Sequence, residues 1–267
     1  MAIITANEID IRYTESGAGE PLVLIHGGQS DRCQFDVFRP LLGEGIRAIA
    51  YDQRDSPQTP YELRAYSMQD HAEDCAAFLT ALGLEKAHLM GESYGGAVAM
   101  VTAISFPGRV QSLILAATTP SWTMAEPIVE QAVAELDPGA IERAMLERAI
   151  TPSAIDDDPI LVNEIRAAFR PRSPEATGRR MSAIRQHDCR DRLSEIQAPT
   201  LILHGDEDPL ISAKTAEWTA EHIRGAHLAL LPGSRHGLTF QHRRRTAELV
   251  RSFVLENSLY EAESAQH

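Results

Sequence analysis

Gly91-Glu92-Ser93-Tyr94-Gly95 reads G-x-S-x-G, and its setting decides how the rest of the chain is read. An apolar run, Ala87 to Met90, precedes it, and a helix-like run, Gly96 to Phe106, follows. Strand, sharp turn, helix is the order a nucleophile elbow needs, because the turn lifts a serine hydroxyl above the end of a sheet. Gly91 and Gly95 suit so tight a turn, which leaves no room for a Cβ two residues to either side of Ser93. Ser93 is therefore a candidate nucleophile. Alone the pattern is weak: at average residue usage it recurs by chance in about one chain in ten of this length. Its surroundings have to carry the reading.

Upstream, Ile9 to Thr14 alternates like an early strand, and Leu22 to Ile25 is a solid apolar run that ends at His26-Gly27-Gly28. A run without alternation suits a strand buried on both faces. Ile46 to Tyr51 is another, ending at Asp52. Met68 to Leu82 carries Cys75, Phe78, Leu79 and Leu82 at helical spacing, and Gly83 is a natural stop. Downstream, Val110 to Ala116 is a further strand. From 119 to 198 the character changes to helix-like pieces, prolines, the acidic run Asp156-Asp157-Asp158 and many arginines. After Pro199 the alternation resumes, with strands at Thr200 to Leu203 and His227 to Leu231 and helices at Ser212 to Ile223 and Gln241 to Leu255. Strands alternating with helices imply a mainly parallel sheet covered on both faces, with functional residues at the carboxyl ends of the strands. His26, Asp52, Ser93, Asp206, Asp208 and His236 all fall there.

The 267 residues allow one large α/β domain, or a domain with a small insert. No stretch approaches the roughly 18 consecutive apolar residues of a membrane-spanning helix. Met1-Ala2-Ile3-Ile4-Thr5 lacks the basic start and apolar core of a secretory signal. A net charge of −13 argues against nucleic acid or an anionic membrane as partner and says little else. Cys33, Cys75 and Cys189 are scattered and odd in number, without C-x-x-C spacing. A disulfide framework or zinc site is not expected, and a reducing, cytoplasmic location is.

Serine becomes a nucleophile only when a base takes its proton, and that base must be held by a third group. The chain supplies both in the order Ser, acid, His. Leu201-Ile202-Leu203-His204-Gly205-Asp206-Glu207-Asp208 is a strand running into an acidic loop, with Asp206 and Asp208 as candidates. Pro232-Gly233-Ser234-Arg235-His236-Gly237 follows the last strand, and His236 lies in a small-residue turn. One helix and one strand fit between Asp208 and His236.

On the motifs His26-Gly27-Gly28, Tyr51-Asp52-Gln53-Arg54, Gly91 to Gly96, Pro199 to Asp208 and Arg235-His236-Gly237, the chain resembles serine-type α/β-hydrolase fold enzymes of the AB hydrolase superfamily. The resemblance runs end to end apart from the tail. It implies a mostly parallel, doubly wound α/β-hydrolase sheet with a helical cap inserted after the sixth strand. The core would comprise 1–118 and 199–256, the cap 119–198 and a flexible tail 257–267. Of the two acids it selects Asp208, three residues after Gly205, and leaves Asp206 to bond loop backbone. It implies oxyanion donors at the backbone N–H groups of Tyr94 and Gly28, with Gln29 as the neighbouring alternative, and gives His26 the task of shaping that loop. Asp52 and Arg54 would support their own loop and neighbouring turns. The family commonly has Gly where this chain has Asp55, a departure similar to aclacinomycin methylesterase-type members, which puts that loop's shape in question.

Gln29, Trp122, Met124, Met145, Phe169 and Met181 are candidates to line a substrate pocket, although the apolar ones would equally pack a small core within the cap. Arg166, Arg170, Arg172, Arg179, Arg180 and Arg185 could receive a substrate carboxylate; a solvated helix face is the plainer role. The activity implied is hydrolysis of a carboxylic ester of a small organic molecule, the small-molecule substrate, through an acyl-enzyme, without metal or organic cofactor. The alternatives are a carbon–carbon bond hydrolase of ring-cleavage dienoates, a lactonase or perhydrolase, and a ligand receptor on the same fold with slow turnover.

Overall fold

The computed structural model describes residues 1–61, 64–125 and 138–264. Eight strands build one sheet: β1 (Ala2–Ala6), β2 (Ile9–Ser16), β3 (Gly19–Ile25), β4 (Gly45–Tyr51), β5 (Ala87–Glu92), β6 (Val110–Ala116), β7 (Thr200–Gly205) and β8 (His227–Leu231). Their order is β1-β2-β4-β3-β5-β6-β7-β8. β1 with β2 and β2 with β4 are antiparallel, and every other pair is parallel. The sheet is thus the mostly parallel α/β sheet read from the sequence. β3, β5, β6 and β7 are its interior, which explains their unbroken apolar runs: nearly all their residues are buried.

Helices cover both faces. On one, α1 (Met68–Ala81), α2 (Tyr94–Ser105) and α7 (Ala213–His222) pack over a cluster that includes Tyr51, Phe78, Val98, Met100 and Leu115. On the other, α8 (Arg243–Ser264) and two single-turn helices within Arg32–Leu42 bury Phe35, Phe38, Val250, Phe253 and Val254. Ser67 caps α1 in a reciprocal box with Asp70, which satisfies two amides the helix leaves free.

Between β6 and β7 the described residues form helices and no strand: α3 (Pro138–Ala149), α4 (Pro152–Asp157), α5 (Pro159–Ala168) and α6 (Pro174–Arg185). Three prolines of this segment start helices. Pro152, Pro159 and Pro174 open their helices, each preceded by a capping residue, Thr151, Asp158 or Ser173. Leu146, Ile150, Leu161, Val162, Ile165 and Phe240 form a separate small core here.

Two elements depart from the sequence reading. β1 was not foreseen. It pairs with β2 through a two-residue turn at Asn7 and Glu8, both at positive φ, and Glu is an unusual residue for that turn. The closing helix ends at Ser264, well past Leu255. Its extension is tied down where Ser258 donates to Val254 O and meets His88 Nε2. Of the tail 257–267, residues 265–267 lie outside those described. Among the described residues no helix is long and apolar enough to cross a membrane.

Candidate active site

Ser93 sits between β5 and α2 at φ 57°, ψ −119°, a left-handed conformation that a non-glycine residue adopts only when its surroundings enforce it. They do. Ser93 N donates to Ala116 O, and its carbonyl accepts from Thr118 Oγ1 and from the amides of Gly96 and Ala97. A Cβ on Gly91 would lie 2.1 Å from Gly95 O, and one on Gly95 would lie 2.0 Å from Ile25 O. The elbow glycines are there because β5, β3 and α2 approach one another to backbone contact.

The structure brings Ser93, His236 and Asp208 together. His236 Nε2 is 2.8 Å from Ser93 Oγ, and His236 Nδ1 is 2.7 Å from Asp208 Oδ2. A carboxylate accepts only, so Nδ1 carries the proton and Nε2 is left to accept from the serine hydroxyl. Asp208 is aimed by its own loop, since Oδ1 accepts from the amides of Leu210 and Ile211. The His236 turn is clasped from the inserted segment: His236 N donates to Arg148 O and Gly237 N to Ala149 O.

The electrostatics of the pair are consistent from both ends. Burial penalises the His236 cation, but the Asp208 charge and hydrogen bond, with Glu92 adding, outweigh it and raise the His236 pKa above its ordinary value. Burial likewise opposes the Asp208 anion, and the attraction of His236 with their hydrogen bond outweighs it and holds its pKa low. Asp206 is elsewhere, accepting from Gly233 N as a loop brace. His204 lies beneath the acid, with Nε2 bonded to Ile211 O and 3.7 Å from Asp208 Oδ2.

His26 is fully buried behind the loop that follows β3. Its Nδ1–H donates to Gly27 O, and Nε2 faces Ser56 Oγ and Gln53 N. Burial, then the charges of Arg180 and Arg172, push its pKa well down, so it is a neutral brace. Gly28 lies against Tyr94: a Cβ on Gly28 would be 3.6 Å from Tyr94 Cβ. The Tyr94 amide begins α2 and has no acceptor within the helix.

Gly28, Gln29, Tyr94, Arg170, Arg172, Arg180 and Met181 are among the residues that line a cavity of about 240 Å³. Here several expectations are corrected. Trp122 and Phe169 do not line it. Trp122 packs against the large core cluster, and Phe169 packs on the inserted segment's own core while its backbone pairs with Ser30. The solvated-face role fails for three arginines. Arg180 is 3% exposed, lies 4.2 Å over the Tyr94 ring and donates to Arg54 O and Gln53 Oε1. Arg172 donates to Asp55 O and Ser30 O. Arg179 pairs with Asp55. Asp52 and Arg54 do not pair with each other; each faces away, to Arg32 and Asp74 respectively. His242 is half-buried, with Nε2 enclosed.

Sequence reasoning also missed Glu92. It is 3% exposed and accepts from Gln34 Nε2 at 2.7 Å and Thr239 Oγ1 at 2.5 Å. The signal was available: an acid at the end of a largely apolar strand must have partners. Among the described residues no group of three His, Cys, Asp or Glu is arranged to hold a metal ion.

A model of the family described as serine aminopeptidase, S33 (Hydrolase_4), matches residues 19–243. The 2-hydroxymuconate semialdehyde hydrolase of Pseudomonas sp. strain CF600 is 30% identical, covering 95% of this chain and 93% of that one. The non-heme haloperoxidase of Rhodococcus erythropolis is 28% identical, covering 89% and 93%. Among solved structures, a hydrolase from Pseudomonas aeruginosa PA01 superposes with a TM-score of 0.83 at 25% identity, covering 95% of this chain and 97% of that one.

Proposed function

The chain belongs to the serine aminopeptidase, S33, family and is an α/β-hydrolase enzyme, and from that premise we propose that it cleaves a carboxylic ester of a small organic molecule through an acyl-enzyme intermediate. The observation that carries the proposal is the unbroken relay from Ser93 Oγ to His236 to Asp208, at 2.8 and 2.7 Å. Ser93 Oγ attacks the carbonyl carbon as His236 Nε2 takes its proton, and Asp208 stabilises the imidazolium. The amides of Tyr94 and Gly28 receive the oxyanion. The imidazolium then protonates the leaving alkoxide, the C–O bond breaks, and the alcohol departs. Water, deprotonated by His236, attacks the acyl-serine; Ser93 regains its proton and the acid leaves.

The segment 119–198 serves in this proposal as the cap, and its cations narrow the substrate. Arg172 and Arg180 face the cavity, and among the described residues neither has a carboxylate within ion-pair distance. Burial, then the charge of Arg180, lowers the Arg172 pKa to about 10. A buried cation without a counter-ion is costly, and a substrate carboxylate relieves it. The ester therefore carries a negative group that these arginines receive.

A second reading, hydrolysis of a carbon–carbon bond in a ring-cleavage dienoate, is favoured by the 30% identity to a 2-hydroxymuconate semialdehyde hydrolase and by the same arginines. Glu92, where such enzymes usually have Asn, weighs against it. A panel of p-nitrophenyl esters, lactones and dienoates, with Ser93→Ala as control, separates them. Serine-dependent ester turnover, faster for anionic than neutral esters, is expected. Turnover of dienoates alone would replace the ester reading with the second. Binding without turnover of any class would point to a receptor.

A further inference from the structure

We infer that Glu92 is a positioning residue for the reaction, its buried carboxylate tying the nucleophile strand to the oxyanion-side loop through Gln34 and to the histidine turn through Thr239. The inference rests on the serine-hydrolase reading above.

Three segments converge at the site: one carries this carboxylate, and each of the other two sends it one group. Glu92 directly precedes Ser93. Gln34 Nε2 donates to Glu92 Oε2 at 2.7 Å, while Gln34 Oε1 accepts from Gly27 N at 2.9 Å. The Gln34 amide is thus oriented uniquely: flipping it would set its oxygen against the carboxylate and its NH₂ against the Gly27 amide. Gly27 precedes Gly28, so the carboxylate governs, at two removes, the loop that carries the second oxyanion donor. On the other side Thr239, fully buried and three residues past His236, donates its hydroxyl to the same oxygen at 2.5 Å.

Packing alone does not call for an acid here. A carboxylate in so dry a place is penalised by burial, which pushes its pKa up against the hydrogen bonds of Thr239 and Gln34 and the charge of His236. What an acid supplies, and an amide or apolar residue does not, is two charge-assisted bonds and a second negative charge facing His236. The charged groups around the imidazole are then Asp208 on one side and Glu92 on the other, with His204 beyond Asp208. Oxyanion donors act in the transition state, so loosening them lowers kcat rather than weakening substrate binding.

The test uses full-length protein and p-nitrophenyl acetate. Wild-type turnover that Ser93→Ala abolishes establishes the underlying reading; without it, that reading fails first. Given it, Glu92→Gln keeps the shape and removes the charge. We expect kcat to fall about tenfold or more with KM within about threefold, and the acid limb of the rate profile to move to lower pH. Gln34→Ala, which cuts the link to Gly27, should lower kcat similarly and stands in if Glu92→Gln does not fold. A folded Glu92→Gln with kcat within fivefold of wild type, or with an unmoved acid limb, overturns the inference. So does a folded Gln34→Ala with kcat within fivefold.

Discussion

Arg179 grips Asp55 through both nitrogens, Nε to Oδ2 and Nη2 to Oδ1, each at 2.8 Å. The pair joins α6 of the inserted segment to the loop after β4, and it explains why an acid stands where a glycine would be easier. Asp55 has φ 61°, and its side chain, 2% exposed, also accepts from Tyr66 OH at 2.9 Å. Asp55→Gly relieves the backbone but loses the Tyr66 hydrogen bond and the carboxylate that Arg179 holds, leaving Arg179 its contact with Tyr61 O. We expect the loss to win, lowering stability by about 2 kcal/mol and raising KM more than it lowers kcat. Urea melts and steady-state kinetics check this; a variant as stable as wild type with unchanged KM would show that the pair is incidental.

Arg180 offers the sharpest test of substrate charge. It is buried against Tyr94, and its Nε has no partner. Arg180→Gln should raise KM about tenfold or more for an anionic ester such as a p-nitrophenyl hemisuccinate, equivalent to about 1.4 kcal/mol. It should leave KM for the neutral acetate within about threefold. Equal effects on both esters would assign Arg180 to packing alone.

The pH dependence of kcat/KM follows from His236, which must be neutral to accept the Ser93 proton. Its pKa in the folded protein is raised above 6.5, so activity falls as pH drops through a value above 6.5, with the slope of a single proton. Asp208→Asn removes the main raising influence; the limb should move to lower pH and kcat should fall on the order of 10⁴-fold. A wild-type profile flat from pH 5 to 8 would count against His236 as the base.

Stability in acid depends on histidines buried neutral, of which His88 is the cleanest case. Burial lowers its pKa from 6.5 to about 4, between Ser112 Oγ and Ser258 Oγ. Below pH 6.5 the unfolded chain binds a proton there that the folded protein does not, so the contribution of His88 is lost as pH falls toward 4. Between pH 6.5 and 5 that amounts to about 2 kcal/mol. Urea melts of wild type and His88→Gln at both pH values should show the variant losing about that much less on acidification. Parallel losses would mean His88 does not report on acid stability.

The parts of the site legible in the sequence were those made by local geometry. An elbow needs its glycines within two residues of Ser93, and strand ends announce themselves by composition, so position pointed to Ser93, to His236 and to an acid at Asp206 or Asp208, and the family resemblance chose Asp208. What was illegible depends on distant partners. Arg172, Arg179 and Arg180 look like the polar face of a short helix until Asp55, Tyr94 and Ser30 are brought beneath them. Glu92 announces that it needs partners, but not that these are Gln34 and Thr239, 58 and 147 residues away. β1 escaped notice because a five-residue edge strand entered through an Asn-Glu turn has almost no pattern of its own.

The central claim is that Ser93 is the nucleophile activated by His236. Its most direct test is intact-protein and peptide mass spectrometry after treatment with a fluorophosphonate. The account requires one phosphonyl adduct, on Ser93, formed rapidly by wild type, abolished in Ser93→Ala and strongly slowed in His236→Ala. Folded wild-type protein that stays unlabelled, or that carries the adduct on another residue, would contradict it.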